Sequence, residues 1–201
     1  MDQASTYDLL AAGGRVWLSL PAAVLITLVT ACGNSQIEWK EEVKLKSGEV
    51  VVVKRTAKSK RIGEIGGPGG WENEGMTVQI IQPIKPDNPP SWNAKFVPLV
   101  FDRDPDTKEW FVVATFYSCT SWYELGRPRL PYTEFRLTNG QWRQQPLSPD
   151  LIGREGNMVT NIRLTGEPDH TVADKEGINN DPVTLPEFKG VVNNWPSGAN
   201  C

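Results

Sequence analysis

Apolar and polar residues alternate along much of the chain after residue 37, which is the pattern of β-strands that bury one face. Trp39, Val43 and Leu45 alternate with charged residues, and the Ser47-Gly48 pair separates this run from a second run that holds four consecutive valines. Two such runs joined by a tight turn predict an antiparallel hairpin.

The same alternation predicts further strands at 76–81, 96–101, 110–117, 132–137 and 141–145. The last two flank Asn139-Gly140, a dipeptide that favours a short hairpin turn. Pro98 lacks the amide donor of a strand residue, which places its strand at a sheet edge or at a bulge. We therefore predict a mainly β fold: a single antiparallel domain of about seven strands, arranged as a meander or a sandwich.

Two regions interrupt this pattern. Residues 58–75 contain the glycine-rich stretch 66–70 and are predicted to form a mobile loop. The C-terminal part is predicted to be loop-rich, with short helices that begin near Ser148, Thr171 and Leu185.

The composition excludes several classes of function. The 201 residues include 21 basic and 24 acidic side chains, a formal net charge of -3, so a generally basic nucleic-acid binder is excluded. One histidine and three cysteines exclude a His-rich or Cys-rich metal centre. The glycine cluster lacks the Lys-Ser/Thr pair of a phosphate-binding loop. We expect no cofactor and no nucleic-acid partner.

The amino terminus has the layout of a secretory signal. Residues 16–31 are uncharged and mostly apolar, follow Arg15, and end in small residues. The run is shorter than the roughly 20 residues that a membrane span needs, and Pro21 would kink a permanent helix.

The end of this run, Val29-Thr30-Ala31-Cys32, resembles the lipobox of bacterial lipoproteins. The resemblance implies cleavage before Cys32 and its acylation, which divides the chain into a signal peptide at 1–31 and an exported domain at 32–201. The lipid bilayer would then be a partner through acylated Cys32, and Gly33 favours the outer membrane, with the domain facing the periplasm or the exterior. The alternative is an uncleaved membrane anchor in which Cys32 is an ordinary thiol; both interpretations export the domain.

Two cysteines, Cys119 and Cys201, remain if Cys32 carries the lipid. Two cysteines in an oxidising compartment usually pair, and a bond would fix the last residue of the chain. We therefore predict a disulfide between Cys119 and Cys201; two free thiols or an intermolecular bond through Cys201 are the alternatives.

A distinctive stretch follows Cys119: Gly126-Arg127-Pro128, then Pro131-Tyr132 entering a strand, then a turn and Trp142. With the lipobox, this stretch is similar to an uncharacterised family of exported bacterial lipoproteins, and the resemblance implies no activity. Arg127 is a candidate binding residue because its guanidinium could fork onto a carboxylate. The alternative is a rigid connection whose turn is set by the flanking glycine and proline.

Three further features are candidates for chemistry. His170 is the only histidine and no nucleophile-elbow motif accompanies it, so we expect a surface side chain near a helix start. Asp102, Asp104 and Asp106 have calcium-loop spacing, but the later glycine and glutamate of such a loop are absent, which favours a solvated turn. Basic residues at 54–61 could touch anionic lipid headgroups, although a solvated strand end explains them as well.

Tryptophans in loops are candidates for a binding surface. Trp71 and Trp92 lie in glycine- and proline-rich stretches, where an exposed ring could stack on a sugar or a peptide. Glu41 and Glu42 are adjacent in a strand and therefore point to opposite faces, so they cannot act together as a catalytic pair.

No catalytic constellation or metal site is found in the sequence. We predict a non-catalytic binding or envelope-maintenance protein whose partner is an envelope protein or a glycan. The alternatives are an envelope hydrolase that uses carboxylates or Cys119, and an accessory lipoprotein of a prophage or a secretion system.

Overall fold

The computed structural model describes residues 34–63, 70–116, 119–162, 166–179 and 181–195. The chain divides into two units, Met1–Ala31 and Cys32–Cys201, and every described residue belongs to the second unit. The strands are β1 (Asn34–Lys44), β2 (Val50–Ile62), β3 (Gly70–Gln82), β4 (Trp92–Ala94), β5 (Val97–Arg103), β6 (Trp110–Thr115), β7 (Tyr132–Thr138) and β8 (Gln141–Gln145). The α-helices are α1 (Cys119–Glu124) and α2 (Val172–Asn179), and Pro149–Leu151 and Pro186–Phe188 form single 3-10 turns.

The strands form two antiparallel sheets of four, each in sequence order: β1-β2-β3-β4 and β5-β6-β7-β8. The prediction of a mainly β, antiparallel fold is therefore confirmed, and the two sheets share one apolar core to which both contribute side chains. Trp92 of β4 lies in this core against Phe135 of β7, with ring centroids 5.3 Å apart.

The first sheet buries one face only. In β1 the buried positions are Trp39, Glu41 and Val43, and the residues between them are exposed or half-buried. Opposite them in β2, Val53 and Arg55 also point inward. The strict alternation of this hairpin explains why its strands and its turn could be predicted from the sequence.

The second sheet buries both faces of its strands β5 and β6, whereas β8 has no buried residue. Six consecutive residues of β5 and all six of β6 are buried. One face of the sheet contributes to the core shared with the first sheet. The other face packs in a second cluster with Leu151 and Val191 of the C-terminal segment, by which we mean the described residues that follow β8. The second sheet is therefore the middle of three layers.

The C-terminal segment also covers the open edges of both sheets. The side chain of Asn157 accepts the amide of Phe101 in β5 and donates to the carbonyl of the same residue, at 2.9 Å each. It also donates to the carbonyl of Lys44 in β1 at 3.1 Å. Further along, the amide of His170 donates to the carbonyl of Lys40, and the amide of Glu42 donates to the carbonyl of His170. These contacts satisfy edge groups that a free strand would leave unpaired.

Several local predictions are corrected. Most of residues 58–75 are strand rather than loop, because β2 runs to Ile62 and β3 starts at Gly70; 64–69 lie outside the described residues. The short strand β4 and the helix α1 were not predicted, and the helix expected at 185–195 is only the turn Pro186–Phe188. The bulge at Pro98 is confirmed by a register shift between Pro98 and Val100.

Candidate functional site

An open cleft of about 760 Å³ lies beside the turn that joins β1 to β2. Its walls come from that turn, from the β5–β6 turn, from residues 150–157 of the C-terminal segment and from α2. The cleft is therefore built where the C-terminal segment crosses from one sheet to the other. Its apolar lining includes Phe111, Leu151 and Val172, and most of its other lining side chains are charged.

Arg154 is held in the cleft by a buried carboxylate. Its guanidinium pairs with Asp102 of β5, which is fully buried and also accepts the backbone amides of Lys46 and Arg103 at 2.9 and 2.6 Å. Burial raises the pKa of Asp102, while these amides and Arg154 favour its charged form. The guanidinium also lies 5.7 Å from the ring centroid of Phe111, so one face of the arginine is fixed by packing.

Lys175 of α2 is held by a second buried carboxylate. Its ammonium lies 3.8 Å from Glu41 Oε2 and donates to the carbonyl of Asn157. Burial lowers the pKa of Lys175, and the nearby charge of Arg55 lowers it further, whereas Glu41 raises it. Glu41 itself pairs with Arg55 and accepts the backbone amide of Val159 at 2.9 Å.

The acidic lining of the cleft is of two kinds. Asp104 accepts the amides of Asp106 and Thr107 at 2.9 and 3.0 Å and lies 3.3 Å from Arg136, which together hold its pKa at about 2. The other acidic residues of the lining are exposed, and they are Asp106, Asp150, Glu155 and Glu176.

The arrangement is suited to binding a polar ligand with groups of both signs. The half-buried Arg154 and the buried Lys175 are each held by a buried carboxylate. Exposed carboxylates surround the opening together with Lys44 and Lys46, which are also exposed. Among the described residues that line the cleft there is no serine, cysteine or histidine.

The predicted binding surface of Trp71, Trp92 and Arg127 does not form one site. Trp92 is fully buried, so the prediction of an exposed ring is wrong: its proline-rich neighbours concealed a three-residue strand. Arg127 is exposed and stacks on the ring of Tyr123, with 4.9 Å between its guanidinium carbon and the ring centroid. The backbone of Arg127 has φ 59°, so it lies in a left-handed turn. The side chain of Trp71 lies outside the described residues.

The cysteines fall mostly outside the described residues. Cys32 and Cys201 both lie outside the described residues, so lipidation and the predicted disulfide stay predictions. Cys119 is half-buried at the start of α1.

Two interpretations of acidic and imidazole groups are corrected. His170 is buried rather than on the surface, with Nε2 2.7 Å from Glu167 Oε1. Asp102 is buried and paired rather than part of a solvated turn, and no group of three potential metal ligands occurs among the described residues.

The prediction that Glu41 and Glu42 face opposite sides is confirmed, since Glu41 is buried and Glu42 is half-buried.

Arg154, Lys175 and Glu41 were not predicted as site residues. Glu41 and Arg55 carried a signal, because both are charged residues at inward positions of alternating strands, where an apolar residue is the rule. Arg154 and Lys175 lie in the loop-rich C-terminal part, where no periodicity indicates which side chains turn inward.

Searches of protein-family models, of curated proteins and of solved structures find no match to this chain. The resemblance to exported lipoproteins therefore rests on the sequence motifs alone. The helices of the described residues are short, and none has the length and apolar character needed to cross a bilayer.

Proposed function

We propose that the chain is an exported, lipid-anchored protein of the cell envelope that binds a polar ligand and is not an enzyme. The observation that carries the proposal is the order of its amino-terminal elements. An apolar run ends in Val29-Thr30-Ala31-Cys32, and β1 begins at Asn34, two residues after the cysteine. Cleavage before Cys32 would leave every described strand intact and would place the lipid directly at the start of the sheet.

The binding role rests on the cleft. Arg154 donates to Asp102, which also accepts the backbone amide of Lys46. Lys175 donates to the carbonyl of Asn157, whose own amide donates to the carbonyl of Leu99. The positions of both cations are therefore fixed before any ligand arrives. Binding then needs little ordering of these side chains, which lowers its entropic cost. The mixed charges of the lining fit an envelope glycan or a segment of an envelope protein.

The Cys119–Cys201 disulfide is part of the same proposal. Trp195 packs edge-on against Trp122, three residues after Cys119, with ring centroids 5.7 Å apart. Cys201 follows Trp195 by six positions in the sequence, and six extended residues span at most about 20 Å. The sulfur of Cys201 can therefore reach α1. Intact-mass measurement of the native protein before and after reduction tests this, since one disulfide adds two hydrogens on reduction.

The anchor is tested by labelling with radioactive palmitate in a bacterial host that exports lipoproteins. Wild-type chain should incorporate label, and Cys32→Ala should not, because the acylated thiol is absent. Cys119→Ala is the matched control and should incorporate label as wild type does. Equal labelling of wild type and Cys32→Ala would overturn the anchor.

The cleft is tested against isolated cell-wall glycan. A binding protein should co-sediment with the glycan and release nothing soluble, and Asp150→Asn with Glu155→Gln should weaken the sedimentation. The exposed carboxylates Asp150 and Glu155 favour the second candidate, an envelope hydrolase. Release of soluble fragments by wild type, lost in these variants, would establish that candidate instead.

A further inference from the structure

The first sheet has a basic end, where β1 begins and β2 finishes. Lys58, Lys60 and Arg61 of β2 are all exposed, and Lys60 pairs in the strand register with Asn34, the first residue of β1. Ser59 between the two lysines is buried, so Lys58 and Lys60 point to the same outer face of the sheet.

The charges that face this group are known on each paired strand. On β3, Glu72 lies opposite Lys60 and Glu74 follows two residues later; both are exposed. Lys95, which follows β4, is exposed and its carbonyl accepts the side chain of Asn73 at 2.7 Å. The described side chains at this end therefore include four cations and two carboxylates.

Acylation would bring this end to the bilayer. Cys32 precedes Asn34 by two residues, and two extended residues span at most about 7 Å. Because Asn34 is paired with Lys60, the lipid chains would leave the protein beside the basic end. No longer linker lies between the anchor and the first strand.

The opposite end of the same hairpin is held away from the anchor. β1 has 11 residues, so its ten steps of about 3.4 Å separate Asn34 from Lys44 by ~34 Å. Lys44 and Lys46 line the cleft at this far end. The anchor and the cleft thus lie at opposite ends of one rigid hairpin.

We propose that Lys58, Lys60 and Arg61 form a membrane-docking surface for the phosphate groups of anionic lipid headgroups, in the bilayer that holds the acyl anchor. The inference rests on the proposed acylation of Cys32. Docking through this end orients the strands of the first sheet away from the membrane surface, so that the cleft faces the aqueous compartment. The cleft therefore takes a ligand from that compartment and not from the anchoring bilayer.

Lysine acetylation by a water-soluble reagent tests this orientation without any substitution. The full protein is purified from membranes in detergent and placed in vesicles of phosphatidylcholine, with or without phosphatidylglycerol. Peptide mass spectrometry then gives the acetylation rate of each lysine. Lys58 and Lys60 should be acetylated more slowly in anionic vesicles, on the order of fivefold. KCl at about 0.5 M should restore their acetylation rates, because salt screens the contacts with the headgroups.

Lys44 and Lys46 are the internal control, since they are exposed and lie at the other end of the hairpin. Their rates should be the same in all vesicles. Equal rates for Lys58 and Lys60 in zwitterionic and anionic vesicles would overturn the docking surface. Equal protection of all four lysines would also overturn it, because the sheet would then lie flat.

A matched pair of variants assigns the contact. Arg61→Gln should reduce the protection of Lys58 and Lys60, whereas Lys46→Gln should leave it unchanged. The same spectra contain the amino-terminal peptide: if it starts at Cys32 with attached acyl chains, a negative result overturns the docking surface alone. If it starts at Met1 or carries no lipid, the anchor itself is overturned.

Discussion

The two sheets have the same strand order but opposite relations to solvent. The first sheet is long-stranded and exposes one face, whereas β5 and β6 of the second sheet are buried on both faces between the first sheet and the C-terminal segment. Solvent on one face produces alternation, and burial on both faces produces continuous apolar runs. The hydrophobic pattern of a strand therefore indicates whether one or both faces of its sheet are buried.

Glu41 of the first sheet and Asp102 of the second are buried carboxylates that each pair with an arginine, and the two arginines come from different elements. Glu41 and Arg55 both belong to the first sheet, in neighbouring strands. Asp102 belongs to the second sheet, and its partner Arg154 belongs to the C-terminal segment. The first pair ties a hairpin together, and the second ties the third layer to the middle one.

The largest expected effect is at the pair inside the first sheet. Arg55→Leu leaves the buried Glu41 with the amide of Val159 and with Lys175, whose ammonium is 3.8 Å away. Loss of one partner from a buried ion pair costs about 3–5 kcal/mol. Urea unfolding followed by tryptophan fluorescence should show that the free energy of unfolding falls by this amount. Lys54→Leu is the control, because Lys54 pairs with Glu38 on the solvated face, where a salt bridge contributes little to stability.

The double variant Glu41→Leu with Arg55→Leu sharpens the result. It removes both charges from the interior, so it should be more stable than Arg55→Leu alone. If Arg55→Leu costs no more than Lys54→Leu, the pair does not hold the hairpin together, and the contrast between the two faces of the sheet fails.

The second prediction concerns the contact between the third layer and the second sheet. A Cβ at Gly156 would lie 2.7 Å from Leu99 Cδ1 and 2.9 Å from the carbonyl oxygen of Lys189. Gly156→Ala should therefore destabilise the protein by about 1–3 kcal/mol, since the backbone has to move.

Gly177→Ala in α2 is the control for that substitution. A Cβ at Gly177 meets no atom within 4 Å, and alanine favours a helix over glycine by about 1 kcal/mol. Thermal unfolding should therefore shift down for Gly156→Ala and up for Gly177→Ala. Shifts of the same sign would contradict the close approach of the C-terminal segment to β5.

Asp102 at the end of β5 and Asp104 in the turn after it have pKa values that move in opposite directions. Hydrogen bonds from Thr107 and Asp106 hold the pKa of Asp104 at about 2, below its ordinary 3.8, while burial raises that of Asp102. A lowered pKa stabilises the fold above the unfolded value and loses this contribution as pH falls through the folded value. A raised pKa has the opposite effect: the free energy of unfolding falls as pH rises, because the group ionises less readily in the folded state.

Asp104→Asn should therefore cost about 1–2 kcal/mol at neutral pH, a value reduced for solvent screening. The difference from wild type should shrink as pH falls from about 5 towards 2. Urea unfolding at a series of pH values measures it. A difference that stays constant over this range would show that the carboxylate charge of Asp104 does not stabilise the turn.

The contrast between the sheets also decides what could be predicted from the sequence. The hairpin turns at Ser47-Gly48 and Asn139-Gly140 depend on local chemistry and were predicted correctly. Trp92 was misplaced because a three-residue strand is too short to show a period, although its ring fills the core against Phe135.

The candidate cleft could not be predicted in the same way. Arg154 meets Asp102 across 52 residues, and the amide of Val159 meets Glu41 across 118. Such contacts follow from the path of the C-terminal segment, which has no repeating pattern. The inward positions of Glu41 and Arg55 in their strands were the sequence signal that charged side chains are buried in the first sheet.

The smallest expected effect is at the start of α2, outside both sheets. Thr171 and Asp174 form a reciprocal cap: the Thr171 amide donates to Asp174 Oδ2 at 2.8 Å, and the Asp174 amide donates to Thr171 Oγ1 at 3.2 Å. Thr171→Ala should cost about 1 kcal/mol, and Thr171→Ser should restore most of it because the hydroxyl remains. Thermal unfolding measures both, and equal losses for the two variants would contradict the cap. Since Lys175 directly follows Asp174 in α2, loosening this helix should weaken the proposed binding in the cleft before it disturbs either sheet.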